Sequence, residues 1–195
     1  MLKSAPPPRS PSDSSAASAG ASSGGGALRR RAVLAFAGWW PGWRRLALWA
    51  WQGLGGALAV GVMEIAAWLG ETPLALIPFA TSIVLVLGMP EAEAAQPRAL
   101  VGGHVVSTLV GFAMLALFGS SEPAAAAAVG LAMVAMRATG TMHPPAAINP
   151  IIVVVEAMKP GFVLVPVGLG AVLLAAYAFG WHNLARRGSW PVRWW

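Results

Sequence analysis

The sequence has no cysteine and few charged residues. None of its 195 residues is Cys and only 10% are Asp, Glu, Lys or Arg, whereas 57% are hydrophobic. Without cysteine the chain has no disulfide bonds and no thiolate metal ligands. Because about a quarter of the residues in a soluble domain are charged, this composition predicts an integral membrane protein whose first partner is a lipid bilayer.

Acidic residues are scarce at both ends of the chain, where basic residues concentrate. Asp13 is the only acid among residues 1–45, which hold seven Lys and Arg, and three arginines but no acid follow residue 181. Between residues 46 and 181 the acids outnumber the bases. By the positive-inside rule this pattern predicts an even number of crossings with both termini cytoplasmic. It also explains the net charge of +6 without nucleic acid as a partner.

Large apolar side chains are scarce in the first 28 residues, which are mainly Ser, Ala, Pro and Gly. We predict a disordered tail over 1–28, a basic and Trp-rich interfacial segment over 29–45, a transmembrane domain over 46–182 and a short basic cytoplasmic tail over 183–195. The tail composition fits either a bacterial protein or an organelle transit segment. The expected location of this multi-pass protein is therefore the inner cell membrane or, with a transit segment, the chloroplast envelope.

Four apolar runs reach or approach the roughly 20 residues that cross a hydrocarbon core. They cover residues 46–69, 99–118, 123–136 and 162–181, and the third is long enough only if it continues toward residue 141. Two shorter apolar pieces, 73–89 and 145–158, are interrupted by Pro and small polar residues. We predict an all-α membrane protein, a bundle of four full transmembrane helices plus two short broken or re-entrant membrane segments.

The order of long helix, broken segment and long helix occurs twice, which suggests an internal repeat. Transporters build midplane substrate sites from discontinuous helices in repeats of this kind. The alternative is that Val and Ile are simply common in helices that face lipid.

The densest group of polar residues in the apolar body lies between Arg137 and Pro150. Pro144 and Pro145 remove two backbone donors and prevent a regular helix there. Irregular backbone is tolerated inside a bilayer only where it is buried in protein or lines a wet cavity. The segment therefore predicts a pore or site element around His143, the alternative being a surface turn with an interfacial histidine.

Two motifs follow one another along this body, QPR at 96–98 with VGGH at 101–104, and MHPPA at 142–146. In this order they resemble the HPP family of integral membrane proteins, over about residues 46–182. The resemblance implies a bundle of four transmembrane helices that acts in transport, with some members associated with nitrite movement across chloroplast and cyanobacterial membranes. Family members commonly continue HPP with Ala-Gly-Ala-Asn, whereas this chain has Ala147 and Ile148 before Asn149. The amide is kept and the backbone freedom of glycine is absent.

The motif residues and their polar neighbours predict the path of a small inorganic anion such as nitrite. If the two repeats pack together, a guanidinium and two imidazoles converge on the anion, and histidine, which titrates near neutrality, lets a proton accompany it. The alternative for Arg98 is an anchor at the membrane interface. The predicted pathway comprises the HPP motif residues His143, Pro144 and Pro145, together with Asn149, Arg98, His104, Thr81, Ser82 and Arg137.

Two other function classes remain open. A non-transporting membrane subunit or scaffold would suit the small-residue stripes Gly53, Ala57, Gly61 and Gly103, Ser107, Gly111, which are typical of helix-packing faces. An intramembrane metalloenzyme would use the two histidines and a Glu, but the sequence has no HExxH spacing, and no P-loop supports ATP-driven pumping. We expect no enzyme activity, no cofactor and no bound metal. A homo-oligomer would shield the polar face of so short a chain.

Overall fold

The computed structural model describes residues 42–71 and 78–194, and no strand occurs among them. The predicted all-α class is confirmed. The predicted tail over 1–28 and residues 29–41 of the predicted interfacial segment lie outside the described residues. The α-helices of the described part are α1 (Trp43–Leu69), α2 (Ala80–Gly88), α3 (Pro97–Phe118), α4 (Glu122–Ala138), α5 (Ile148–Val155) and α6 (Leu169–Ala185). Single helical turns at Glu93–Ala95, Pro144–Ala147, Pro160–Val163 and Leu164–Gly168 connect them.

In the described part of the chain, three helical stretches are long and apolar enough to cross a membrane. They are α1, α3 and the stretch Pro160–Ala185, which includes α6. The remaining predicted span corresponds to α4, which has 17 residues and ends at Ala138 instead of continuing to Thr141. At 1.5 Å per residue such a helix is about 26 Å long, somewhat less than the roughly 30 Å hydrocarbon core. A bundle of four full crossings therefore stays a prediction.

The two predicted broken segments contain short helices. α2 has 9 residues and α5 has 8, so neither is long enough to cross a bilayer by itself. Residues 73–77 of the first broken segment lie outside the described residues. Helix length follows the order long, short, long in α1 to α3. The internal repeat stays a prediction, because helix length alone does not establish it.

Prolines mark where several helices begin or bend. Pro97 opens α3, and α4 begins after Ser121, whose hydroxyl accepts a hydrogen bond from the Ala124 amide at 3.3 Å. Val165, which precedes Pro166, leaves the helical conformation with φ −135° and ψ 121°. A residue before proline favours extended backbone, so the Pro160–Ala185 stretch is kinked at Val165, just before α6 begins.

α3 lies at the centre of the packing and contacts α4, α5 and α6. The predicted stripe of small residues on α3 permits this close approach, whereas an added Cβ at Gly53 or Gly61, in the stripe predicted on α1, would have no described atom within 4 Å. A Cβ added at Gly111 would lie 2.8 Å from the Cα of Pro150, at the start of α5. α1 packs on α6 in a similar way, with the rings of Trp51 and Trp181 stacked 4.1 Å apart and Gly55 beneath Trp181.

Candidate functional site

Four polar side chains from separate parts of the chain meet in the interior. They are Ser82 on α2, His104 on α3, His143 in the loop before α5 and Asn149 on α5, and none has any solvent-exposed surface. We call them the polar cluster. The Oγ atom of Ser82 lies 2.9 Å from Nε2 of His104 and 2.9 Å from Nε2 of His143. One hydroxyl therefore bridges two imidazoles, whose ring centres are 5.1 Å apart.

Asn149 ties α5 to α3. Its Nδ2 lies 3.0 Å from Nδ1 of His104, 3.1 Å from the His104 carbonyl oxygen and 3.0 Å from Oγ1 of Thr108. The Thr108 hydroxyl donates to the same His104 carbonyl at 2.7 Å. The Oδ1 atom of Asn149 is buried and has no hydrogen-bond partner in the described part of the chain, so the cluster retains one unused acceptor.

The HPP segment turns His143 toward α3. The backbone of His143 is extended, with φ −129° and ψ 95°, as expected for a residue that precedes proline. Gly103 on α3 makes room for it, because a Cβ there would lie 2.6 Å from the Cβ of His143. On the other side of the ring, Nδ1 lies 2.6 Å from the carbonyl oxygen of Ala94. The imidazole is thus held from two directions.

With both imidazoles neutral, these contacts assign the hydrogen positions. The Ala94 carbonyl can only accept, so Nδ1 of His143 carries the proton and Nε2 accepts from the Ser82 hydroxyl. Ser82 has a single proton, so it accepts from Nε2–H of His104, whose Nδ1 then accepts from Asn149. The two histidines therefore hold opposite tautomers in one directed chain of hydrogen bonds. The carbonyl of Pro78, 3.3 Å from the Ser82 oxygen, is an alternative acceptor.

A pocket of about 340 Å³ lies where α3 begins and α4 ends. Among the described residues that line it, three arginines face a single carboxylate, so positive charge is in excess. We call it the arginine pocket, and its polar lining includes Glu93, Arg98, Arg137 and Arg193. The first turn of α3 adds the partial positive charge of a helix N-terminus. These groups suit an anion.

Arg98 is fixed in this pocket by the loop after α4. Its Nη2 donates to the carbonyl of Thr139 at 2.7 Å. Gly140 permits that approach, because a Cβ there would lie 2.9 Å from the same nitrogen, and its φ of 64° also disfavours other residues. The Thr139–Gly140 turn therefore positions one of the three guanidinium groups.

The arginine pocket and the polar cluster share a wall. Ala94 lines the pocket, and its carbonyl holds Nδ1 of His143. Met142, the residue before His143, also lines the pocket.

The residues predicted from sequence fall into two groups in space and do not converge on one point. Four of them form the polar cluster, while Arg98 and Arg137 line the arginine pocket. Thr81 is exposed on α2. Pro144 is exposed and Pro145 is half-buried, and both shape the backbone next to His143.

Several contributors were not among the predicted site residues. Thr108 follows His104 by one helical turn, which places both on one face of α3. This spacing could have indicated that Thr108 belongs to the site. Gln96 belongs to the first motif and lines the arginine pocket, yet nothing in the motif indicates that position. Arg193 has the same appearance in sequence as the other basic residues at the end of the chain, and the Ala94 carbonyl has no sequence signature at all.

The polar cluster combines two imidazoles, a hydroxyl and an amide, so its members can both donate and accept hydrogen bonds. Within residues 42–71 and 78–194, no three His, Cys, Asp or Glu side chains lie close enough together to hold one metal ion.

Most of the described residues match a known protein family. The family model described as "HPP, transmembrane region" matches residues 42–191. The chain belongs to the HPP family. In this HPP protein the histidine of the HPP triplet is the member of the polar cluster that also contacts the wall of the arginine pocket.

Two curated relatives are transmembrane proteins of Dictyostelium discoideum. One is 40% identical over 133 residues, covering 64% of this chain and 43% of the relative. The other is 37% identical over 125 residues, covering 60% of this chain and 44% of the relative. The aligned part thus spans less than half of the length of each relative. No solved structure matches the chain.

Proposed function

We propose that this HPP protein transports a small inorganic anion such as nitrite across a membrane, and that a proton can accompany the anion. One observation carries the proposal. Ala94 lines the arginine pocket, and its carbonyl oxygen holds Nδ1 of His143 in the buried polar cluster. A site that attracts anions and a buried group that takes up protons are therefore adjacent.

The charge balance of the pocket favours a small anion over a cation or a neutral solute. Three guanidinium groups and one carboxylate line it, and guanidinium pairs with oxyanions through charge-assisted, often bidentate hydrogen bonds. The exposed positions of Arg98, Arg137 and Arg193 allow an anion to reach them from outside. The volume of about 340 Å³ is ample for an ion of a few atoms.

The polar cluster offers a place for one proton without leaving a hydrogen bond unmade. When Nε2 of His143 gains a proton, it becomes a donor to Ser82. The serine oxygen then accepts from both imidazoles, and its own proton turns to the Pro78 carbonyl, 3.3 Å away. Uptake of a proton at His143 is thus linked to rotation of a single hydroxyl.

A different observation favours the scaffold alternative. All four side chains of the polar cluster are completely buried, and three hydrogen bonds join them to one another. Such a cluster also suits a permanent tie between α2, α3 and α5 in a protein that transports nothing.

Nitrite uptake by reconstituted vesicles distinguishes the two functions. Purified full-length protein is incorporated into liposomes, and nitrite entry is followed with and without a pH gradient. Liposomes without protein are the control, because undissociated nitrous acid crosses bilayers unaided. Transport predicts protein-dependent uptake that responds to the gradient. Uptake equal to that of the empty liposomes would contradict transport and favour the scaffold.

A further inference from the structure

The described residues after α6 do not project from that helix but fold back onto the loop before α3. Residues 186–194 are the C-terminal segment of the described chain. Trp190 in this segment is 1% exposed and belongs to the same buried cluster as Ala95 and Leu100. The segment therefore contributes a core side chain as well as its arginines.

A buried glutamine holds the far end of the C-terminal segment. Gln96 is 5% exposed, and its Oε1 accepts hydrogen bonds from the backbone amides of Val192 at 2.9 Å and Arg193 at 3.3 Å. Its Nε2 donates to the carbonyls of Pro90 at 2.8 Å and Ala92 at 2.9 Å. All of these bonds are made by one side chain that directly precedes α3, so the segment and the loop form one unit.

A second anchor holds the near end of the segment against α6. Oδ1 of Asn183 accepts from the Gly188 amide at 2.6 Å, and its Nδ2 donates to the carbonyl of Trp190. The Ser189 hydroxyl donates to the carbonyl of His182 at 2.8 Å. With both ends anchored, the backbone of Arg193 has a defined position at the arginine pocket, which Arg193 and Trp194 help to line.

The third cation of the pocket therefore comes from outside the helical body. Arg98 and Arg137 belong to α3 and α4, whereas Arg193 reaches the pocket only while the segment is folded back. Without Arg193, two guanidinium groups would face the carboxylate of Glu93. The excess of positive charge would fall by half.

We propose that the C-terminal segment completes a binding site for a small free oxyanion, with Arg193 as a ligand-binding residue and Gln96 as the residue that positions it. The inference rests on the anion transport proposed above, and it names the group that gives the site its affinity.

Binding of nitrite to purified full-length protein in a neutral detergent tests the role of Arg193. Calorimetric titration at low ionic strength, where exposed charges are least screened, compares wild type with Arg193→Gln. We expect the Kd to rise about two- to fivefold, within the upper part of the range for an exposed ion pair. Arg187→Gln is the matched control, because Arg187 is an exposed arginine of the same segment that does not line the pocket. Equal affinities of the two variants would overturn the proposal.

Spin labelling tests the role of Gln96. The chain has no cysteine, so Val192→Cys, at a position 57% exposed, gives a unique label. Gln96→Ala should increase the mobility of the label and weaken nitrite binding as Arg193→Gln does. Gln52→Ala is the control, since Gln52 makes a comparable side-chain bond to the Gly88 carbonyl at 3.2 Å, and it should leave the label immobile. A label that stays immobile in Gln96→Ala overturns the positioning role.

The same titration separates a free anion from a lipid phosphate. If phosphatidylglycerol added to the micelles displaces nitrite, and does so less well in Arg193→Gln, the ligand is the lipid headgroup and the assignment to a free oxyanion is overturned. If nitrite binding is unchanged by the lipid, the assignment is supported. If vesicles take up no nitrite, the proposed transport is contradicted but the binding site is not. If wild type and Arg193→Gln bind nitrite equally well, the role of Arg193 is contradicted but transport is not.

Discussion

His104 and His143 bind the same oxygen atom. The hydroxyl of Ser82 lies 2.9 Å from Nε2 of each ring, and each ring makes a different second contact, with Asn149 for His104 and with the Ala94 carbonyl for His143. A single hydroxyl proton cannot serve both rings. The two imidazoles are therefore unequal, and His143 is the one whose second contact, the Ala94 carbonyl, belongs to a residue that lines the arginine pocket.

The first prediction concerns the tautomers. In protein labelled with nitrogen-15 histidine and held at a pH where the rings are neutral, His143 should carry its proton on Nδ1 and His104 on Nε2. The chain has three histidines, so the variant His182→Gln leaves two ring systems to assign by magnetic resonance. Two rings with the same tautomer would rule out the directed chain of hydrogen bonds.

The second prediction concerns the bridge itself. Ser82→Ala leaves a buried N–H of His104 and a buried nitrogen of His143 without their partner. An unsatisfied buried polar group costs about 1–3 kcal/mol, so the free energy of unfolding should fall by about that amount. The neighbouring variant Thr81→Ala changes an exposed hydroxyl and should stay within about 0.5 kcal/mol of wild type. Unfolding in mixed micelles measures both, and equal effects would show that the bridge contributes nothing.

The third prediction concerns the close approach of α3 to the HPP segment. Gly103→Ala would place a Cβ 2.6 Å from the Cβ of His143 and 2.7 Å from the Thr141 carbonyl oxygen. Since this clash involves backbone, the variant should be destabilised by about 1–3 kcal/mol. Gly130→Ala on α4 has nothing within 4 Å of the added atom and should be neutral or slightly stabilising. A stable Gly103→Ala would mean that the loop and α3 lie farther apart.

Much of the fold could be predicted from the sequence, because apolar run length is a local property. The run at 99–118 corresponds to α3, which begins only two residues earlier, at Pro97. The run at 162–181 proved more irregular, since Pro166 forces Val165 out of the helical conformation. α4 ends at Ala138 because the chain turns at Thr139 and Gly140. Arg98 of α3 contacts this turn through the Thr139 carbonyl.

The candidate site was only partly predictable for a physical reason. His143 and Asn149 stand out because polar groups are costly in hydrocarbon. The contacts that organise them are long-range, and one of them uses the backbone carbonyl of Ala94, a group that every residue carries. Arg193 was assigned to a basic tail by its position, and only the fold shows that Gln96 holds its backbone at the pocket.

The central claim, that anion movement depends on His143 beside the arginine pocket, is tested most directly by one measurement. The initial rate of nitrite uptake driven by a pH gradient is compared in vesicles containing wild type, His143→Gln or His182→Gln. His182 is the matched control, because its Nε2 contacts the Val86 carbonyl at 3.0 Å and, in the described part of the chain, its ring faces that of Trp190 and not a ring of the polar cluster. The account predicts that His143→Gln, at equal protein content, loses at least about tenfold in rate, equivalent to about 1.4 kcal/mol, while His182→Gln keeps the wild-type rate. Equal rates for all three proteins would contradict it.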